Sequence, residues 1–263
     1  MTSAIIANLL LGLLSVGALF FVIWIVHLLL KNAGVVDVGW GLGFIVLCFI
    51  YVLHGAGFNL RNTLYLLMVT LWGLRIALFL IKRISIEGHE DKRYQKMRGS
   101  WGNHIHLKFL FFFEFQAILQ MILAIPFLIV SLNPEEGIGF WEILGLSTFI
   151  IALLGETVAD EQLQEFRTNP ANKGKTCDIG LWHYSRHPNY FFEWLIWMGF
   201  FVYALGSSYG WLSVISPLLM YYLMMYVSGI PLAEEQALKS RGDNYRQYQA
   251  TTSAFFPMPK KVK

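Results

Sequence analysis

The sequence predicts an all-α, polytopic membrane protein: a bundle of about seven transmembrane helices, N-terminus outside and C-terminus in the cytoplasm. Three observations lead there. First, 56% of the 263 residues are hydrophobic and only 14% are charged, against about 45–50% and about 25% in ordinary soluble domains. A soluble fold of this size cannot hide that much apolar surface in one core, and the same composition excludes intrinsic disorder. Second, the apolar residues, which include 21 Phe, 12 Tyr and 9 Trp, fall into long runs. Third, the 20 Lys and Arg residues are very unevenly shared between the segments that join those runs.

A helix needs roughly 20 apolar residues to cross hydrocarbon. The first run, Ala4–Leu30, has no Lys or Arg before it and no small-residue cleavage site after it. It therefore reads as a retained span and not as a signal peptide. Gly39–His54, Thr63–Ile81, Phe109–Leu132, Gly139–Val158, Tyr190–Leu205 and Trp211–Ile230 follow. The second and sixth are short and are expected to extend into their flanks. Residues 231–263 form a cytoplasmic tail, and residues 1–263 make a single transmembrane domain. Cys48 and Cys177 are too few for a disulfide framework and are expected to be free.

Basic residues decide orientation. Lys31 follows span one. Lys82, Arg83, Lys92, Arg93, Lys96, Arg98 and Lys108 lie between spans three and four. Arg167, Lys173, Lys175 and Arg186 lie between five and six, and Lys239, Arg241, Arg246, Lys260, Lys261 and Lys263 in the tail. If seven spans alternate, all of these share one side. The opposite side has Arg61 and the acidic pair Glu135 and Glu136, and Arg75 is inside span three. The polar segments 82–108, 159–188 and 231–263 share the cytoplasmic side, so a water-soluble cofactor would arrive from there.

Ionisable groups in hydrocarbon are costly and are usually buried in the bundle for a reason. Here they are Arg75, Glu114, Glu156, Asp160, Glu193 and His27. Arg75 admits two readings, a structural ion pair or a ligand contact. Glu114 reads as a carboxylate stabilised by the dipole at a helix start. Glu156 and Asp160 share a helix face at a spacing of one turn. Arg167 returns to that face two turns later, before Asn169-Pro170 ends the helix. Taken alone, this is a solvated helix end.

The strongest local signal is GLWHYSRHPNYFFEW, residues 180–194. Gly180 permits a tight turn, and Pro188 suits the first turn of a helix. Asn189 and Glu193 then lie one turn apart on one face. Arg186, His187, Asn189, Tyr190 and Glu193 together at the mouth of a span are expensive unless something polar binds there. His183 and His187 are separated from any helical metal pair by Pro188, and no metal site is expected. The tail, with Glu234, Glu235, Tyr245 and Lys260-Lys261-Val262-Lys263, reads as an amphipathic interface helix. Its last residues also match a dilysine retrieval pattern, which has meaning only in a eukaryote. No phosphate loop, GxGxxG, GxSxG or HExxH is present, so any nucleotide would bind within the helical bundle.

These blocks, with SGIPLAEE and YRQYQATTSAFFPMP, resemble the steroid 5-alpha-reductase-like membrane family. The likeness is greatest to a bacterial branch long catalogued as a domain of unknown function. DVGWGLGF (37–44), LWGLRIALFLIKR (71–83), HEDKRYQKMRGSWG (89–102) and EFRTNPANKGK (165–175) extend the resemblance over nearly the whole chain. It implies seven helices with NADPH held among the cytoplasmic halves of the later ones. The implied nucleotide contacts are Asn189, Tyr190 and Glu193, with Asp160 and Arg167 before them. Glu156 stands where the family has Asn. Arg93 and Arg75 match two further basic positions, and Arg186, His187 and Tyr245 complete the expected cofactor-binding set. The family's catalytic Glu and Tyr are replaced: Trp72 occupies the Tyr position and span two has no Glu. Asp37, at the mouth of span two, is the nearest carboxylate, and it reads either as a substitute acid or as a helix cap.

The expected activity is NADPH-dependent hydride transfer to a conjugated C=C bond of a lipid-soluble enone, such as a polyprenyl or fatty enone. The substrate would enter from the bilayer, and the surplus of cations in 82–108, Arg93 above all, would favour NADPH over NADH. Besides that substrate, the expected partners are membrane lipids, and no nucleic acid is expected. One alternative is a membrane methyltransferase using S-adenosylmethionine, with Glu234 and Glu235 gripping its amino-acid end. The other is a non-catalytic assembly or channel protein. The expected location is a bacterial inner membrane, or the endoplasmic reticulum in a eukaryote.

Overall fold

The computed structural model describes residues 2–87 and 90–261. His89, which opens one of the motifs above, and Val262 and Lys263 of the dilysine pattern lie outside the described residues. Among those residues the chain is helical throughout, with one isolated backbone bridge between Ser185 and Ser253. It divides into two compact units, Met1–Gly139 with Ala204–Ser213, and Phe140–Tyr203 with Val214–Lys263.

The first unit contains α1 (Thr2–Leu30), α2 (Val35–His54), α3 (Leu60–Glu87), α4 (Lys92–Trp101), α5 (Ile105–Leu123) and α6 (Ile125–Ser131). Its centre is α2, and three glycines explain why. A Cβ on Gly39 would lie 2.7 Å from Ile23 of α1. One on Gly41 would lie 2.3 Å from the carbonyl oxygen of Gly73 in α3, and one on Gly43 would lie 2.0 Å from Oε1 of Gln120 in α5. Alternate glycines in GWGLG thus admit three neighbours to backbone distance, the small-residue contact by which helices associate in lipid. Gln120 is fully buried and donates to the carbonyls of Gly39 (3.2 Å) and Trp40 (3.0 Å). By contrast α1 leaves Leu10, Leu13, Leu14 and Phe21 exposed, as a lipid-facing helix would. Arg61 is buried and donates to Gly137 (2.8 Å) and Gly206 (3.0 Å), tying the loops at its end of the unit.

The second unit carries α7 (Phe140–Thr168), α8 (Pro188–Ala204), α9 (Ile215–Tyr222), a π-helical turn (Leu223–Val227) and α10 (Ile230–Thr251). Helices α7 and α8 form an antiparallel pair. A Cβ on Gly145 would meet the backbone of Tyr203 at 2.4 Å, and one on Gly199 the backbone of Phe149 at 3.0 Å. At the other end a Cβ on Gly155 would lie 2.4 Å from the ring of Phe192. The register is the same at every level.

Six helical stretches are long and apolar enough to cross a membrane: Ile5–Leu30, Val35–His54, Leu60–Ile86, Ile105–Leu123, Phe140–Thr168 and Gly210–Thr251. The expected sixth span, 190–205, is α8, whose 17 residues rise only about 26 Å, short of the roughly 30 Å hydrocarbon core. Helix breaks revise two other expectations. The run 109–132 divides at Ala124, because Pro126 in the first turn of α6 has no N–H to continue the ladder of α5. The run 211–230 passes from a 3₁₀ turn through α9 into the π turn. Both cysteines are free and buried.

Candidate functional site at the mouth of α8

The approach to α8 is fixed by its own sequence. Gly180 adopts φ +54°, the left-handed conformation that glycine tolerates, and its bare α-carbon lets Gln162 of α7 pack against it. Gln162 Oε1 accepts from the Leu181 amide at 2.9 Å, and Trp182 Nε1 donates to the carbonyl of Ala159 at 2.9 Å. The chain then reaches His187 and enters α8 at Pro188, which has no amide to leave unsatisfied in a first turn.

In this setting Asn189 Nδ2 donates to Asp160 Oδ1 at 3.2 Å, joining the first turn of α8 to α7. The His187 ring stacks on that of Tyr190, with centroids 5.5 Å apart and planes within 9°. One turn into α8, Glu193 Oε1 accepts from Trp197 Nε1 at 3.1 Å. One turn back along α7, Glu156 is buried, and the register of the pair sets it at the level of Glu193. Arg167 is exposed near the end of α7. Asp160, Asn189, Tyr190, Glu193 and Glu156 are therefore gathered around the head of one helix pair. The buried Trp197 backs Glu193 and the Phe192 ring packs on Gly155 of α7, while Phe191 and Trp194 turn to Phe255, Phe256 and Tyr221.

Three expected contacts turn elsewhere, towards Glu234 in the first turns of α10. Arg186 Nε donates to Glu234 Oε1 at 2.6 Å, and its Nη1 donates to the carbonyls of Gln249 (3.0 Å) and Thr252 (2.7 Å). His187 Nε2 lies 3.3 Å from the same carboxylate oxygen, and the Tyr245 hydroxyl donates to it at 3.4 Å. Gln249 Nε2 completes the set on Oε2 at 2.9 Å. Arg186 and Tyr245, expected at the cofactor, instead hold α10 against the loop before α8. Burial lowers the His187 pKa below the ordinary 6.5, and the Glu234 carboxylate opposes that shift only in part. The sequence contains only part of a signal for this hub. Tyr245 and Gln249 are one turn apart and share a face, but Glu234 lies on the other side of a kink at Gly242, whose φ of +51° breaks the helix, so only the fold brings it to them.

His183 and His187 also part company, since His183 Nδ1 meets Asp178 at 3.1 Å. Among the described residues, no three His, Cys, Asp or Glu side chains gather as metal ligands. The end of the chain straps the same loop. The Arg186 amide donates to Ser253, Ser185 Oγ to Phe255, and the Met258 amide to Tyr184, at 2.8, 2.8 and 3.0 Å. Lys260 pairs with Asp178.

The remaining expected residues belong to the first unit. Arg75 is half-buried within α3. Asp37 sits in the first turn of α2, three residues after the helix cap at Gly34, so it is not the cap. Its Oδ2 accepts from Arg93 at 2.9 Å and its Oδ1 from the Tyr94 hydroxyl at 2.6 Å. Arg93 also donates to Asp91 at 3.1 Å, and the Asp91 side chain caps α4 through the Arg93 amide. Arg93, expected on a cofactor phosphate, is thus engaged by two carboxylates, and Asp37, expected as an acid, has both oxygens engaged. Beside them Glu90 accepts from the Ala33 amide (2.7 Å) and from Arg98 (2.8 Å). Burial pushes the Asp91 carboxyl up, but the bonds and charge of Arg93 and the charge of Arg83 outweigh it and hold the group below its ordinary range. Burial and the Asp37 charge raise the Tyr94 hydroxyl well above the usual phenol value.

A family model described as "Protein of unknown function (DUF1295)" matches residues 23–252. The chain belongs to that family. The DUF1295 match takes in every residue of the α7–α8 cluster, the Glu234 hub and the Asp37–Arg93 pair. An uncharacterized protein of Schizosaccharomyces pombe (strain 972 / ATCC 24843), C594.04c, is 26% identical over 279 residues, covering 94% of this chain and 78% of that protein. No solved structure matches this DUF1295 chain.

Proposed function

We propose that the protein is an NADPH-dependent membrane reductase that delivers hydride to a conjugated C=C bond of a lipid-soluble enone. One observation carries the reading: the Asp160–Asn189 hydrogen bond of 3.2 Å at the head of the α7–α8 pair, with Glu193 one turn further in. These are the positions at which the sequence resembles the nucleotide contacts of steroid 5-alpha-reductase-like enzymes. The side chains suit such a group, since an amide, a phenol and carboxylates offer partners to a carboxamide and to ribose hydroxyls. NADPH, when bound, supplies the hydride. The chain's own residues orient and enclose. Asp160 pins the Asn189 amide, and Trp197 aims the Glu193 carboxylate. The buried Trp197 keeps water from the Glu193 carboxylate, which strengthens the polar contacts there. We assign Arg167, exposed at the end of α7, to the phosphates, where a guanidinium binds bidentately.

In this reading α8 is the sixth of seven crossings, the N-terminus is outside, and the substrate enters from the lipid. The membrane is a bacterial inner membrane or its eukaryotic counterpart, the endoplasmic reticulum. The alternative methyltransferase needs Glu234 for an amino group. That carboxylate already takes bonds from Arg186, Tyr245 and Gln249, and the reductase is the reading we keep.

The test is titration of purified wild type and Glu193→Gln with NADPH, and of wild type with S-adenosylmethionine, beside thermal melts without ligand. Glu193→Gln keeps shape and removes charge, so it should melt as wild type does. It should lose about 1–3 kcal/mol of NADPH binding, the contribution of a charged hydrogen bond. Wild type that binds S-adenosylmethionine and not NADPH would sink the reading. A mutant that melts lower yet binds NADPH normally would make Glu193 structural.

A further inference from the structure

Helix α5 carries two glutamines one turn apart, and the fold uses them differently. Gln120 is fully buried, and its Nε2 donates to the carbonyls of Gly39 and Trp40 in α2. Gln116 is half-buried, and its Oε1 accepts from Trp40 Nε1 at 3.1 Å. An indole nitrogen only donates. The carbonyl end of the Gln116 amide must therefore face Trp40, and its NH2 end points away. Among the described residues that NH2 meets no acceptor. Gln116 follows Lys108 by eight residues, a rise of about 12 Å along α5. Helix α5 is apolar enough to cross a membrane, so the donor stands inside the hydrocarbon, too deep for its side chain to reach the headgroups. An amide N–H without an acceptor is costly there.

The pair sits beneath a polar cap. One turn towards the start of α2, Asp37 accepts from Arg93 at 2.9 Å and from the Tyr94 hydroxyl at 2.6 Å. One turn towards the start of α5, Phe112 meets the ring of that same Tyr94, with centroids 6.3 Å apart. Trp40 and Gln116 thus form one level of contact between α2 and α5, and Asp37, Tyr94 and Phe112 form the next. The carboxylate of the cap has both oxygens engaged and cannot turn to Gln116. On the other side of Trp40 the Phe44 ring lies 5.6 Å away, and it offers no acceptor. What completes the pair must dissolve in lipid and must present an oxygen that accepts. An acyl chain fails the second condition and a phosphate the first. A carbonyl on an apolar molecule meets both.

We propose that Gln116 Nε2 is the binding site for the carbonyl oxygen of a lipid-soluble ligand, with Trp40 as the positioning residue that aims the amide. The site itself stands without a cofactor. Taking its ligand to be the enone substrate rests on the reductase reading. In that reading the carbonyl is where negative charge develops as hydride adds to the conjugated bond, and a fixed donor stabilises it. Gln116 then does the work of the carbonyl-holding side chains that Trp72 and the second span do not supply.

The experiment titrates a sixteen-carbon fatty enone, isotopically labelled at its carbonyl carbon, into wild type and Gln116→Met in detergent without cofactor. The labelled carbonyl stretch is read by infrared difference spectroscopy, and stability by thermal melt. In wild type a saturable band should appear at the lower frequency of a hydrogen-bonded carbonyl. Unlabelled enone should compete it away, and an alkene of the same length should not. Gln116→Met should melt as wild type does, bind the enone roughly three- to ten-fold more weakly, as loss of one neutral hydrogen bond implies, and leave the band at its free position. The double variant Trp40→Phe, Gln116→Met leaves no orphaned indole and should match the single one. It replaces the single variant should that one fail to fold. No shifted band in wild type, or the same band in the variants, would overturn the proposal. Competition by phosphatidylcholine esters as strong as by the enone would make this a general lipid contact and would also overturn it. NADPH is titrated in parallel. A shifted band without NADPH binding would sink the reductase reading and keep the carbonyl site, whereas NADPH binding without the band would sink the carbonyl site alone.

Discussion

Arg93 is where charge patterning and geometry part. In the sequence it is one of seven cations in a short polar segment and reads as a receiver of phosphate. In the fold its guanidinium reaches Asp37, 56 residues away, at 2.9 Å, and Asp91 at 3.1 Å. Arg93→Glu would set a third carboxylate beside those two. Removing one partner of a buried pair costs about 3–5 kcal/mol, but Arg93 is 38% exposed and solvent discounts that figure. We expect a loss of about 2–3 kcal/mol, read as a lower melting temperature in detergent, with any nucleotide effect secondary to it. A variant that melts normally and fails to bind NADPH would restore Arg93 to the cofactor. Asp37 shares this fate. Sequence position put it at the mouth of span two, but only the fold brings Arg93 and Tyr94 to its oxygens.

At the scale of elements, the helices cross where side chains are absent. Gly41 and Gly73 place α2 and α3 so close that a Cβ on either would stand 2.3 or 2.6 Å from the other's carbonyl oxygen. Backbone atoms cannot swing aside as a flexible side chain can. Gly41→Ala is therefore expected to cost about 3 kcal/mol, the upper end of ordinary overpacking, and to lower the yield of folded protein. Gly99→Ala, on α4 with open space around it, is the matched control and should stabilise slightly or do nothing. Equal melting of the two variants would remove the crossing from the account. The short α8 follows the same logic. Its 17 residues pair in register with α7 through Gly145, Gly155 and Gly199, so its depth is set by its neighbour and not by its own length.

At the scale of the whole chain, the number of crossings fixes where the ends lie. Six stretches have the length and apolarity of a span, and α8 decides between an even and an odd count. With α8 crossing, the two ends lie on opposite sides, and the arginine- and lysine-rich segments share one of them. A reporter that is active only in the cytoplasm should therefore work when fused after residue 261 and fail when fused before residue 1. Activity at both ends would give an even count and keep α8 from crossing.

The sequence by itself determined the class of this protein. Apolar runs of span length and scarce charge leave no fold but a helical membrane bundle, because hydrocarbon demands that every backbone group be satisfied within the helix. It also determined the local geometry of the approach to α8: glycine at positive φ at position 180, proline in the first turn, Asn189 and Glu193 on one face. What it could not determine is which polar groups meet, because pairing depends on neighbours far apart in the chain. Asp160 and Asn189 are 29 residues apart, Arg186 and Glu234 are 48, and Asp37 and Tyr94 are 57. Composition shows that such groups must be paired, since an unpaired charge away from water is expensive. Only the tertiary structure chose the partners, and it turned Arg186, Tyr245 and Arg93 inward to carboxylates while leaving Asp160, Asn189 and Glu193 at the head of α8.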